Sequence, residues 1–408
     1  MNFIQQNKVS VNYYLLSTVG MLFCFSNQLQ ATLIIVIFGL LFCLNIAEIK
    51  NITKRKIALW ALISAPFTFV LLDFLYTPFS QWILLKTFYE TRLFILFAPL
   101  VLLLVKKTKK EISQNVFLGF VISIFALSIY IFVSPNWLKL FDSANFNQFQ
   151  FNLRTHAESI CGIHPTYFSM YLVFAISLML LFSFFENKFF QTLFLFVFCL
   201  TLLLIGAKIA LLSVFPLFLL LLISKNNSNQ KYILFIGVAI ILGGISLFFV
   251  ESRWSELLPK TSTTEPINSV GIRKLIYQTD WELLKEHWFF GLGFLKLKYL
   301  MDTSFFQYAF YLNQPIGFYN THNQYIEFCL QYGISGALYI MFIVYFLWKK
   351  QWKKSSILLK IFLILIAIFM LTENILDRQQ GVLFVYFYLC LLLFFDIEKI
   401  DKPAIQSI

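Results

Sequence analysis

The stretch THNQYIEFCLQYGISG at 321–336 carries one of only four histidines in the chain, followed by Asn323 and, further on, Gly333 and Gly336. His322 is either a catalyst held at a surface or a polar residue at the start of a helix. Eleven residues separate it from Gly333, so on one continuous helix the imidazole stands roughly 16 Å above that glycine. His322, Ile326, Cys329, Gly333 and Gly336 then share a stripe. Asn320 and Thr321 are good cap residues, so the helix is expected to start there. Small residues at 333 and 336 would let another helix approach closely.

A second polar stretch, GIRKLIYQTDWELLKEHW at 271–288, reads as an amphipathic helix. Ile272, Leu275, Ile276, Thr279 and Leu283 mark one face, while Arg273, Tyr277, Asp280 and His287 mark another. Gly291 and Gly293 in FFGLGF give the turn that ends it. On pattern alone it reads first as a surface helix lying on the bilayer with its polar face in water. Further candidates are Arg154, His156, Glu158 and His164 in LRTHAESICGIHPTYFSMYL at 153–172, which also suit a solvated loop. Lys208 suits a lysine reaching to the membrane surface. Glu373, Asp377 and Arg378 suit a surface ion pair. No phosphate-cradling glycine loop, H-E-x-x-H or G-x-S-x-G occurs, and no His or carboxylate cluster has metal-ligand spacing. The six cysteines are scattered without a C-x-x-C, so no metal or cofactor is expected.

The elements that must position these residues are membrane spans. Hydrophobic residues make up 59% of the 408, with 51 Phe, and mean hydropathy is +0.77. A soluble fold of this length cannot bury so much apolar surface. Apolar runs near 11–25, 29–47, 57–73, 91–105, 113–133, 166–186, 189–205, 208–224, 232–250, 332–348, 356–373 and 381–396 predict about twelve spanning helices. Residues 1–27 lack the ordered parts of a cleaved signal and are read as a retained first span. The fold expected is all-α: an N-terminal membrane region over 1–250, a large loop over 251–331 and a C-terminal membrane region over 332–408.

The net charge of +12 comes from short basic clusters between apolar runs, a topology signal rather than a nucleic-acid surface. Lys50, Lys54, Arg55 and Lys56 follow the second span, and Lys106, Lys107, Lys109 and Lys110 the fourth. Lys225 and Lys231 follow the eighth, and Lys349, Lys350, Lys353 and Lys354 the tenth. Every cluster lies after an even-numbered span, which predicts cytoplasmic termini and outward-facing connections at 134–165 and 251–331. A loop of the second length usually has a purpose. Chemistry on that side is remote from ATP and nucleotide sugars, so its substrate must arrive already activated.

His322-Asn323, nine residues, Gly333, two residues and Gly336, together with Arg273 on a helix ending in G-x-G, resemble the O-antigen ligase and polymerase superfamily of bacterial envelope enzymes. The specific likeness lies within about 205–340. It implies a GT-C-like bundle in the inner membrane that moves a glycan from a polyprenyl diphosphate carrier to lipid A–core or another glycan acceptor at the periplasmic face. By that likeness His322 is the general base or positions the acceptor hydroxyl, and Arg273 steadies the diphosphate. Lys208 stands where the family commonly has arginine, and a lysine is a point charge rather than a fork. Asn323, Arg154, His164 and Arg378 are the remaining substrate-binding candidates. A polysaccharide polymerase and a protein-glycosylating oligosaccharyltransferase share the pattern. A transporter or flippase would show internal repeats and broken midplane helices, and no convincing repeat is present.

Overall fold

The computed structural model describes residues 2–25, 27–105, 110–134, 146–223, 269–313, 316–317, 319–346, 349 and 356–395. Among them helix is the only regular structure, with no strand. The helices are α1 (Asn2–Met21), α2 (Asn27–Asn45), α3 (Lys54–Tyr76), α4 (Lys86–Leu104), α5 (Lys110–Val133), α6 (Phe146–Cys161) and α7 (Pro165–Leu181). They continue with α8 (Lys188–Ile205), α9 (Lys208–Ile223), α10 (Ser269–His287), α11 (Phe294–Leu312), α12 (Gln324–Phe346), α13 (Ile357–Met370) and α14 (Gln379–Phe394). The expected span at 232–250, residues 251–268 of the long loop, and the basic residues 106, 107, 109, 225, 231, 350, 353 and 354 lie outside the described residues.

Six described helices are long and apolar enough to cross a membrane: Leu29–Asn51, Lys54–Tyr76, Phe79–Leu104, Gln114–Val133, Lys188–Ile205 and Gln324–Phe346. A seventh arises if Gln148–Cys161 and Pro165–Leu181, bent by 85°, form one span. Lys208–Leu222, Ile357–Met370 and Gln379–Phe394 are apolar but shorter. Helix α1 is not among the six, and its first turns carry Gln5, Gln6, Asn7 and Lys8. Two helices go beyond the sequence reading. The polar connection 134–165 contains α6, and α11 follows the G-x-G turn.

Aromatic rings fill the bundle's centre. Phe23, Phe120 and Phe384 each contact one another and both Tyr171 and Tyr388, with centroids 4.6 Å apart for Tyr171 and Phe384 and 5.1 Å for Phe120 and Tyr388. Lipid is as apolar as leucine, so such packing rather than water exclusion holds the helices together; edge-on ring pairs add about 0.5–1.5 kcal/mol each. Asn12 and Asn45 exchange amide hydrogen bonds of 2.9 and 3.2 Å between α1 and α2. Outward residues such as Phe196, Leu212 and Phe215 are exposed, as lipid-facing side chains are.

Candidate active site

One end of the bundle gathers four short segments: 162–167 before α7, 319–323 before α12, 373–378 between α13 and α14, and the start of α4. The sequence GIHPTY forms the first. His164 caps α7, its Nδ1 accepting from Thr166 N at 3.4 Å, and Pro165 opens the helix without needing a donor. Thr166 Oγ1 donates to Glu373 Oε1 at 3.4 Å, and Tyr167 hydroxyl donates to Asn374 O at 3.2 Å. Gln380 Nε2 donates to Gly162 O at 2.6 Å. Residues 162–167 are therefore the cradle in which the 373–380 turn rests.

The segment around His322 departs from the helix expected there. Helix α12 begins at Gln324, and its cap is Asn323, whose Oδ1 accepts from Tyr325 N at 3.0 Å and Ile326 N at 3.1 Å. His322 precedes the helix with φ of 46°, so it does not share a helical stripe with Ile326 and Gly333. Gly333 itself has φ of 59° and ψ of −143°, and it breaks α12. The 16 Å helical offset thus does not apply.

Neighbouring polar groups hold the imidazole's loop. Asn320 Oδ1 accepts from His322 N at 3.2 Å. Asn374 Nδ2 donates to Thr321 Oγ1 at 3.1 Å, and the Thr321 hydroxyl donates to Glu327 Oε2 at 3.2 Å. Gln331 Nε2 donates to Glu327 Oε1 at 2.8 Å, while Gln324 Oε1 accepts from Leu376 N at 2.7 Å. His322 Nδ1 faces Glu373 Oε2 across 3.8 Å, an electrostatic contact longer than a hydrogen bond. That nitrogen is buried and has no hydrogen-bond partner.

Burial raises the Glu373 carboxyl. The neighbouring His322, with the charges of His164 and Arg273, outweighs that and holds it below the usual carboxylate range. Burial also lowers His164; Glu373 and Glu158 oppose that shift, while Arg378 and His322 reinforce it. Glu373 is thus the common neighbour of His322, His164 and Arg273, and Arg378 acts on His164 while its guanidinium lies 5.9 Å from the Tyr167 ring centre.

Arg154 and Lys208 belong to another place, the turn between α8 and α9. Arg154 donates through Nε to Ile205 O and through Nη2 to Gly206 O, both at 2.7 Å. These are the carbonyls a helix end leaves without partners. Lys208 is half-buried as the first residue of α9. On α10, Arg273 and Tyr277 are exposed as expected, but Asp280 is not on their face. Asp280 is 1% exposed, neither of its oxygens has a hydrogen-bond partner, and burial pushes the carboxyl up to about 8.

The G-x-G turn locks into the break in α12. Leu292 N donates to Leu330 O at 2.8 Å, Gly293 N to Gln331 O at 2.9 Å, and Ile334 N to Phe289 O at 3.1 Å. Gly291 and Gly333 both have positive φ, and a Cβ on either would run into the other segment's backbone. Asp73 secures the same junction, accepting from Phe294 N at 2.6 Å and Tyr332 hydroxyl at 3.1 Å.

Sequence reasoning passed over Arg92. It is 5% exposed, pairs with Asp377, and its guanidinium lies 3.6 Å from the Phe88 ring centre. An arginine inside the apolar run 91–105 was the available signal, since ionisable groups at membrane depth are costly. Beside it opens a cavity of about 680 Å³, bordered by α4, α11, residues 319–321 and α12.

Residues 192–341, over a third of the chain, match the family model described as O-antigen ligase, which supports placement in the O-antigen ligase superfamily. The match supports a ligase- or polymerase-like glycosyltransferase, and the apolar helices a multi-pass membrane protein. No curated protein matches the chain.

Proposed function

We propose, from that placement in the O-antigen ligase superfamily, that this chain transfers a glycan from a polyprenyl diphosphate carrier to lipid A–core at the periplasmic face of the inner membrane. The observation that carries the reading is the pairing of His322 Nδ1 with Glu373 Oε2 at 3.8 Å, with Arg273 close enough to act on the same carboxylate. Closer approach of Glu373 to an Nδ1 proton when substrate binds would fix the tautomer that leaves Nε2 as the base. Such contacts commonly tighten when substrate binds.

In the step proposed, Nε2 of His322 takes the proton of an acceptor hydroxyl. The hydroxyl oxygen bonds to the anomeric carbon of the donor sugar, and the bond from that carbon to the phosphate oxygen breaks. Polyprenyl diphosphate leaves with the electron pair. Arg273 offers paired donors to the phosphate oxygens as charge grows there. Glu373 stabilises the imidazolium that results. His164 and Arg378 set the charge around Glu373, Asn323 shapes the loop as a helix cap, and Lys208 is a second cation for the carrier. The large loop faces outward and both termini face the cytoplasm.

His322→Ala and Arg273→Ala test the reading, assayed for transfer from carrier-linked glycan to lipid A–core. Both are expected to lose transfer by about a hundredfold or more. Wild-type transfer in both variants, with the protein properly inserted, would mean that the site lies elsewhere. A deletion strain separates the two family activities. Carrier-linked polymer accumulating without long chains on lipid A marks a ligase, whereas single-repeat capping marks a polymerase.

A further inference from the structure

We infer that the 680 Å³ cavity beside the His322 loop is a binding site for an uncharged sugar ring at the acceptor end of the glycan. This rests on the glycan-transfer reading above and assigns the place where one of the two substrates sits. The volume lies within the roughly 300–1,000 Å³ of small-molecule sites.

Its wall chemistry suits hydroxyl groups on a saturated ring. Thr87, Thr91, Asn320 and Gln331 offer neutral donors and acceptors. Phe294 and Tyr319, both half-buried, offer flat apolar surface for the ring's C–H face. Of these only Gln331 is buried, so it is the group that a ligand without hydroxyls would leave short of a partner.

Its charge argues against a phosphate or an acidic sugar. The lining holds two cations, Arg92 and Lys298, offset by Asp302 and Asp377, and a buried Glu327 whose oxygens are already bonded by Thr321 and Gln331. Arg92 is already engaged by Asp377, and Lys298 stands exposed at the rim. A diphosphate entering here would meet carboxylates with no free buried arginine. Arg273, by contrast, lies outside the cavity lining and acts on Glu373. Arg273, which does not line this cavity, is left as the cation for the donor's diphosphate, and the cavity is left for hydroxyl groups.

The cavity also lies at the right place for an acceptor. Its wall includes Tyr319, Asn320 and Thr321, the three residues before His322. The Tyr319 and His322 ring centres are 6.0 Å apart. A sugar resting on Tyr319 brings a hydroxyl to the imidazole's edge.

Two measurements test this on the full chain in membranes. First, Thr91→Trp, which fills the cavity, and Asp302→Ala are assayed with donor and acceptor varied separately. The acceptor KM is expected to rise about tenfold while donor KM stays within about twofold. A rise in donor KM instead, or no change in either with transfer intact, overturns the assignment. Second, Lys298→Cys is alkylated and followed at that position by mass spectrometry, a reading that needs no turnover. The probes are the neutral and acidic fractions of oligosaccharides released from the host cells' own envelope, and inorganic diphosphate. Slowing of the alkylation by the neutral fraction alone supports the site. Slowing by diphosphate or the acidic fraction, or by none of the three, overturns it. Protection by neutral glycan in a protein that transfers nothing would instead sink the transferase reading and leave the sugar site standing.

Discussion

His322 keeps its backbone at φ of 46°, a region that costs an L-residue about 1–2 kcal/mol. Asn320, Thr321 and Asn323 supply the bonds that hold it there. Asparagine tolerates this conformation better than most residues, so His322→Asn is expected to fold as well as the wild type yet lose transfer as completely as His322→Ala. Melting curves alongside the transfer assay check the two effects separately. Glu373→Gln removes the charge that would stabilise an imidazolium, and transfer is expected to fall by about 10–100-fold with acceptor KM little changed. Asp280 carries a pH prediction. Its carboxyl is pushed from an ordinary 3.8 to about 8, so folding favours the protonated form. That stability is complete below the unfolded value and lost as pH rises through about 8, by an amount on the order of 5 kcal/mol over the whole range. Asp280→Asn should flatten the melting temperature between about pH 4 and 8, and an unchanged slope would show that another group sets it. At this scale, the sequence marked His322 and Arg273 through their spacing to Gly333 and the G-x-G turn. It could not mark Glu373 as their neighbour, because 51 residues of chain separate it from His322 and only the folded turn closes that gap.

The junction between the α10–α11 turn and α12 is made of backbone. Three main-chain hydrogen bonds join residues 289–293 to 330–334, and each strand of that contact depends on a glycine in a left-handed conformation. Gly333→Ala is expected to cost at least about 1–3 kcal/mol from conformation alone, before the collision with Phe289 O is relieved. Gly39→Ala, where an added Cβ meets nothing within 4 Å, is the control and should melt as the wild type does. If both variants melt alike, the junction does not set the stability of this region. The glycines at 333 and 336 read, from sequence, as a smooth packing surface on one helix. A glycine that breaks a helix and one that lets a neighbour approach are the same letter, and only Gly291, 42 positions earlier, tells them apart. Helix α11 was missed for a related reason. Its FLKLKYLMDTSFFQYAFYL mixes lysines and aromatics without a clean apolar stripe, yet Leu297, Met301 and Phe305 at fourfold spacing are its buried side.

For the molecule as a whole, the positions of the apolar helices were legible because hydropathy decides them. Each predicted apolar run among the described residues coincides with a helix, although six to seven are long and apolar enough to cross by themselves. What the apolar pattern could not supply is which ends meet. The contacts of 162–167, 319–323 and 373–380 put those segments at a single end, which the basic clusters predict to face outward. Single cysteines at Phe290 and at Lys54 test this. A membrane-impermeant thiol reagent applied to intact spheroplasts should label position 290 and spare position 54; the opposite result would invert the proposed topology. The crossing contacts also bear on how such a protein could be recombined. The matched segment 192–341 contains His322 and Thr321, while Glu373, Asn374 and the cradle around His164 lie outside it. A chimera that exchanges only that segment would inherit the imidazole without the carboxylate fitted to it. The smallest transplantable unit is three pieces, with 162–167 and 373–380 travelling together with the histidine.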